Sequence, residues 1–117
     1  MRLHLDPGSP LPIAAQLAAG IRAQVADGEL APGDTLPPAR DLAAALGVNL
    51  HTVLRGYHEL RDEGLVELRR GRGARIRPDA SVSSAAFTQA IRLAASAARR
   101  LGLDPDDAAE ALRAAMR

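Results

Sequence analysis

The sequence has no cysteine, no lysine and no tryptophan, and it holds one tyrosine, Tyr57, and one phenylalanine, Phe87. Without cysteine there are no disulfides and no thiolate metal sites. With so few aromatics, a core must come from Leu, Ile, Val and Ala, and this much Ala means closely packed helices. No apolar run reaches the length that crosses a bilayer. Met1 is followed by Arg2-Leu3-His4-Leu5-Asp6 rather than a secretory apolar segment, so a soluble cytoplasmic protein is expected. His51 and His58 are seven residues apart on one expected helix and His4 stands alone, so the histidines do not share a metal. No serine sits beside a base: Ser9, Ser81, Ser83, Ser84 and Ser96 fall in turns or in the C-terminal part. Gly71-Arg72-Gly73 is no phosphate loop, because no helix follows it. The residues point to no enzyme, no metal and no cofactor.

What remains is a chain of 117 residues, 47% hydrophobic, with a net charge of +1. That length allows one small domain and an appendage. Small cores are marginally stable, which favours oligomers. Every basic side chain is Arg, which forks onto phosphate or guanine where Lys is a point charge. Genome composition explains that choice equally well. The clustering is more specific: Arg69, Arg70, Arg72, Arg75 and Arg77 fall within nine residues that contain no acid.

In chain order, Leu3 and Leu5 alternate with polar neighbours and suggest a short strand, broken by Pro7-Gly8. Ile13, Leu17, Ile21 and Val25 recur every fourth residue and predict a helix over 12–27, with Arg22 and Gln24 away from its apolar stripe. Gly28 ends it, Pro32-Gly33 marks a turn, and Leu30 and Leu36 are expected to tuck beneath this helix. Pro37-Pro38 opens a second helix with Leu42, Ala43 and Leu46 inward. Gly47 stops it, and Asn49 caps a third helix over 50–63. On that helix Val53, Tyr57 and Leu60 face inward, and His51, Arg55, His58 and Asp62 face outward. Gly56, near the inner face, allows close approach of another helix. Leu65, Val66 and Leu68 read as a strand, 69–73 as a turn, and 74–77 as the returning strand.

After Pro78-Asp79 an Ala-rich helix runs over 81–101. Phe87, Ile91, Ala94, Ala98 and Leu101 repeat at four and three along it. Asp104 and Pro105 start a last helix carrying Ala108, Leu112 and Met116. The resulting fold class is mainly α with a small β-hairpin wing: a winged helix-turn-helix over 11–79, then a two-helix tail over 80–117. The tail is too small for its own core. Its seam (Phe87, Ile91, Ala94, Ala98, Leu101 and Leu112) is expected to bury against a second copy. Dimerisation through the winged domain, with the tail free, is the alternative.

A major groove accepts one helix, and residues near its start reach base edges. Asn49, His51, Thr52 and Arg55 suit that role; Arg55 forks onto guanine, and Asn49 pairs with adenine or holds a phosphate. A solvated helix face is the competing reading. Leu50 suits a thymine methyl group. Arg70, Gly71 and Arg72 form a hairpin tip fit for a DNA backbone or a narrow minor groove, or else a charged edge that maintains solubility. Arg40 reaches phosphate, or pairs with Asp41 or Asp34.

These motifs resemble the GntR family of bacterial transcription regulators. The resemblance is carried by Pro12 to Leu17, by Gly28 to Arg40, and by Leu42 to Asn49. It continues through Thr52-Val53, Tyr57 to Leu60, Glu63 to Val66 and Arg70 to Gly73. The pattern from Val48 to Tyr57 is similar to the YtrA subfamily, whose short two-helix tail replaces a large effector domain. The chain departs from the family at Ala14, where an aromatic is usual, at Pro38, where a capping serine is usual, and at Leu50-His51, where the subfamily has Pro-Asn. The resemblance implies a sequence-specific regulator, usually a repressor, acting as a homodimer on palindromic double-stranded DNA. It implies contacts at Arg40, Asn49, His51, Thr52, Arg70 and Gly71, and dimerisation by the tail. No effector is identified; one would be expected between the tail and the winged domain. The alternative is a winged helix used as a protein-protein interaction module.

Overall fold

Leu17, Ile21 and Val25 lie one helical turn apart, so coiling the chain brings them to one side. A computed structural model describes residues 2–117, and in it these three are fully buried on α1, Ile13–Ala26. Two connected helices follow: α2, Ala39–Leu46, and α3, Leu50–Asp62. Gly47 between them has φ +68°, a left-handed conformation that costs glycine little. The core gathers where α1 and α2 pack on α3. Val53, Tyr57 and Leu60 supply α3's share, and Leu36, Leu42 and Ala43 close it from α2 and its approach. Gly56 faces α1 so closely that a methyl group there would lie 2.6 Å from Leu17 Cδ2 and 3.1 Å from the Ala14 carbonyl oxygen.

Two antiparallel strands complete the winged unit: β1, Val66–Arg69, and β2, Gly73–Ile76, in the register Val66↔Ile76 to Arg69↔Gly73. Val66, Ala74 and Ile76 point into the core. A third partner joins this hairpin. The Leu36 amide donates to the Ala74 carbonyl at 2.9 Å, the Ile76 amide to Asp34 at 2.8 Å, and the Gly33 amide to Ile76 at 2.9 Å. The turn after α1 therefore ends in an edge segment on β2.

Two expectations near the N-terminus are corrected. No strand forms at Leu3 and Leu5, although both leucines pack against the core. Side chains of α1 take the place of a strand partner. Gln16 Oε1 accepts from the Asp6 amide at 2.7 Å, and Gln16 Nε2 donates to the Asp6 carbonyl at 2.9 Å. Gln24 Nε2 donates to the Arg2 carbonyl at 2.5 Å. Gln24 and Arg22, expected outside the apolar stripe, are both buried. Arg22 forks onto Glu63, Nε to Oε1 at 2.8 Å and Nη2 to Oε2 at 2.5 Å, tying α1 to the end of α3.

The remaining helices are α4, Val82–Leu101, and α5, Pro105–Ala115. The chain divides into two compact units, the first running through Ala86 and the second comprising Phe87–Arg117. In the second unit, Asp104 Oδ1 caps α5 by accepting from the Asp107 amide at 2.8 Å. None of its side chains is buried. Phe87, Leu93, Leu101 and Met116 are each at least 60% exposed. Among the described residues, no helix is long and apolar enough to cross a membrane.

Candidate nucleic-acid interface

The outer face of α3 is set by its inner one. With Val53, Tyr57 and Leu60 buried, helical periodicity turns His51, Arg55 and His58 outward, and all three are exposed. Asn49 starts the helix: its Oδ1 accepts from the His51 amide at 2.8 Å. That bond satisfies one of the donors a helix start leaves open. Thr52 is half-buried. Leu50 is half-buried as well and packs against the core, so only part of its side chain faces outward.

Arg40 is exposed in the first turn of α2. The segment leading into that turn is held to α3 by the Tyr57 hydroxyl, which donates to the Pro37 carbonyl at 2.6 Å. Burial pushes the Tyr57 phenol well above its ordinary pKa. Neither Asp41 nor Asp34 pairs with Arg40; Asp34 Oδ2 accepts from the Ala31 amide instead, at 2.8 Å.

The wing divides its five arginines by role. Arg75 pairs with Glu67 across the hairpin at 2.6 Å. Arg77 forks onto Asp79 at 2.8 and 3.0 Å, and that bond holds the Asp79 carboxyl below its ordinary range. Arg69 is half-buried, and its Nε is buried with no hydrogen-bond partner. Arg70 and Arg72, at the tip with Gly71, are exposed. Gly71 and Gly73 have φ +75° and +78°, which lets the tip turn within three residues. The arginine cluster seen in the sequence thus leaves two side chains at the tip for an outside partner.

Among the described residues, the guanidinium groups of Arg40, Arg55, Arg70 and Arg72 have no internal hydrogen bond or ion pair. All four belong to the winged unit, from its second helix, third helix and hairpin tip. Such an arrangement can neutralise phosphate and fork onto guanine. Two features are not legible in the sequence. The Arg22–Glu63 pair joins residues 41 apart in sequence, and the burial of Arg69 Nε appears only once the chain is folded. No group of three or more His, Cys, Asp or Glu side chains suited to a metal occurs among the described residues.

The family model for bacterial regulatory proteins of the gntR family matches residues 13–76. The transcriptional regulator Rv1152 of Mycobacterium tuberculosis is 38% identical over 110 residues, covering 92% of this chain and 87% of that protein. The transcriptional repressor YtrA of Bacillus subtilis is 37% identical over 81 residues, covering 69% of this chain. Over the matched regions, the chain spans 17%, 34% and 62% of three curated relatives, PdxR of Corynebacterium glutamicum, Rv0494 of M. tuberculosis and the Bacillus YtrA. Among solved structures, YtrA from Sulfolobus acidocaldarius superposes with a TM-score of 0.63 at 36% identity, over 79% of this chain and 97% of that one. The DNA-binding domain of AraR in complex with operator ORX1 superposes with a TM-score of 0.58 at 25% identity, over 65% and 98%. Family model, relatives and fold agree: the chain belongs to the GntR family of DNA-binding transcription regulators and is YtrA-like within it.

Proposed function

We propose that the protein is a repressor that binds a palindromic operator as a homodimer in the cytoplasm. The observation that carries this reading is the set of exposed guanidinium groups without internal partners at Arg40, Arg55, Arg70 and Arg72. In this reading residues 11–79 bind DNA and residues 80–117 dimerise. Each protomer lays α3 in a major groove, with half-sites about one helical turn or a multiple of it apart. Arg55 reads guanine, while His51 and Thr52 approach neighbouring base edges. Asn49 already uses its Oδ1 as a cap, so its amide donors serve a phosphate more readily than they serve adenine. Leu50 offers its outer edge to a thymine methyl. Arg40, Arg70, Gly71 and Arg72 hold the backbone on either side.

Dimerisation through the tail is supported by the second unit's lack of any buried side chain. Phe87, Ile91, Leu101 and Leu112 remain more than a third exposed, and Ala94 and Ala98 leave room for close helix approach. A helix pair of this size gains stability by covering such a face.

The test is an electrophoretic shift with the protein's own promoter region and with random DNA at moderate salt. A shift favouring the promoter is expected. Arg55→Ala should cost roughly 1–3 kcal/mol on the promoter and little on random DNA. Equal losses on both would assign Arg55 to phosphate, and no shift at micromolar dimer would overturn the repressor reading.

A further inference from the structure

We propose that the cleft between the wing and the helix-turn-helix is a regulatory site. It would bind a small amphiphilic anion, a carboxylate on an apolar body, and its occupation would displace DNA. The cleft has a volume of about 440 Å³, within the range of small-molecule sites. Ala39 of α2, Leu54 and Tyr57 of α3, and Leu68 of β1 give it an apolar wall. Arg69 and Arg70 supply its charge, and no carboxylate lines it.

The Nε of Arg69 carries the argument. It is buried and has no hydrogen-bond partner. Arg69 as a whole is half-buried, so the unmet group is this one N–H of its guanidinium, and a buried donor without an acceptor is costly. Arg69 lines the cleft, and an anion entering it would offer the guanidinium the acceptor it lacks. A backbone phosphate of DNA would satisfy the charge but would gain nothing from the apolar wall. An alkyl or aryl carboxylate would satisfy both.

The position of the cleft explains the regulation. Ala39 precedes Arg40, Leu54 precedes Arg55, and Arg70 belongs to the cleft itself. A ligand seated here would therefore meet the surface assigned above to DNA. The whole site lies within the winged unit, so a ligand seated there would act on the DNA-binding unit directly. The displacement half of this inference rests on the repressor reading; the binding half does not.

Octanoate is the probe, with octanol and inorganic phosphate as controls for body and charge. Tyr57 is the only tyrosine in a chain without tryptophan, so its fluorescence reports on the cleft in the full-length protein without DNA. Octanoate should change that emission saturably, whereas octanol and phosphate should not. Arg69→Gln should weaken octanoate by roughly tenfold or more. Ala39→Leu should weaken it too by filling the cleft, with circular dichroism confirming that each variant folds. Octanoate should also release promoter DNA from the wild-type protein. The site is overturned by no saturable change, by an equal response to octanol, or by octanoate binding that Arg69→Gln leaves intact. If octanoate never binds but Arg69→Gln abolishes the DNA shift, the cleft seats a DNA phosphate and the proposal falls. Octanoate binding with an unchanged shift overturns the displacement. A missing shift without octanoate is a failure of the repressor reading alone.

Discussion

Arg22 is the largest fully buried side chain of the protein, and its charge is answered by the Glu63 carboxylate. Removing one member of such a pair costs far more than the pair contributes net, because the other charge stays buried. Glu63→Gln is therefore expected to lower the unfolding free energy by about 3 kcal/mol, measured by urea denaturation. A loss below about 1 kcal/mol, the scale of an exposed pair, would mean the bridge behaves as a surface contact. Tyr57 gives a second test. Its phenol ordinarily ionises at 10.0 and is raised by burial. Below that pH the group is neutral in both folded and unfolded chains. Above it the unfolded chain ionises first, so folding stability declines as pH rises toward the folded-state value. Phenolate absorbance should appear only together with loss of the helical signal. Ionisation near 10 in a chain that stays folded would contradict the burial.

At the scale of elements, the contact between α1 and α3 depends on Gly56. Gly56→Ala adds a methyl 2.6 Å from a buried Leu17 carbon and 3.1 Å from a backbone oxygen that cannot swing away. The gain in helix propensity is about 1 kcal/mol; the overpacking outweighs it. A net loss of about 1–2 kcal/mol is expected in thermal or urea unfolding, and unchanged stability would show that the helices can separate at little cost. The wing makes a different prediction. If Arg70 neutralises one phosphate, Arg70→Ala should reduce the slope of log affinity against log salt by about 0.9. Arg75→Ala, which loses an arginine already paired with Glu67, should change that slope less. Equal changes would mean that the hairpin pair opens on DNA.

For the whole molecule, the contrast is between a first unit with a continuous core and a second with no buried side chain. A chain ending at Ala86 is expected to keep its helical signal and to run as a monomer in sedimentation. The full chain is expected to run as a dimer. A dimer persisting after truncation would move the interface to the winged unit.

The sequence by itself determined the order of elements from α1 onward and the apolar stripe that each helix of the winged unit buries. Those follow from local physics: fourfold recurrence of Ile13, Leu17, Ile21 and Val25, the left-handed turn at Gly47, the capping oxygen of Asn49, and paired apolar runs around glycine. The GntR resemblance was legible for the same reason, since its motifs sit at those turns and caps. Only the tertiary structure decided what depends on residues distant in sequence. The Leu3–Leu5 segment has no strand partner and is instead held at its two flanks, Arg2 by Gln24 and Asp6 by Gln16, both from α1. Arg22 became a core residue because Glu63 met it from the end of α3. Of the five wing arginines, Glu67 and Asp79 engaged two, and packing buried the Nε of a third. Periodicity says which way a side chain points; whether it meets water, a carboxylate or a hydrophobic wall is settled when the elements pack.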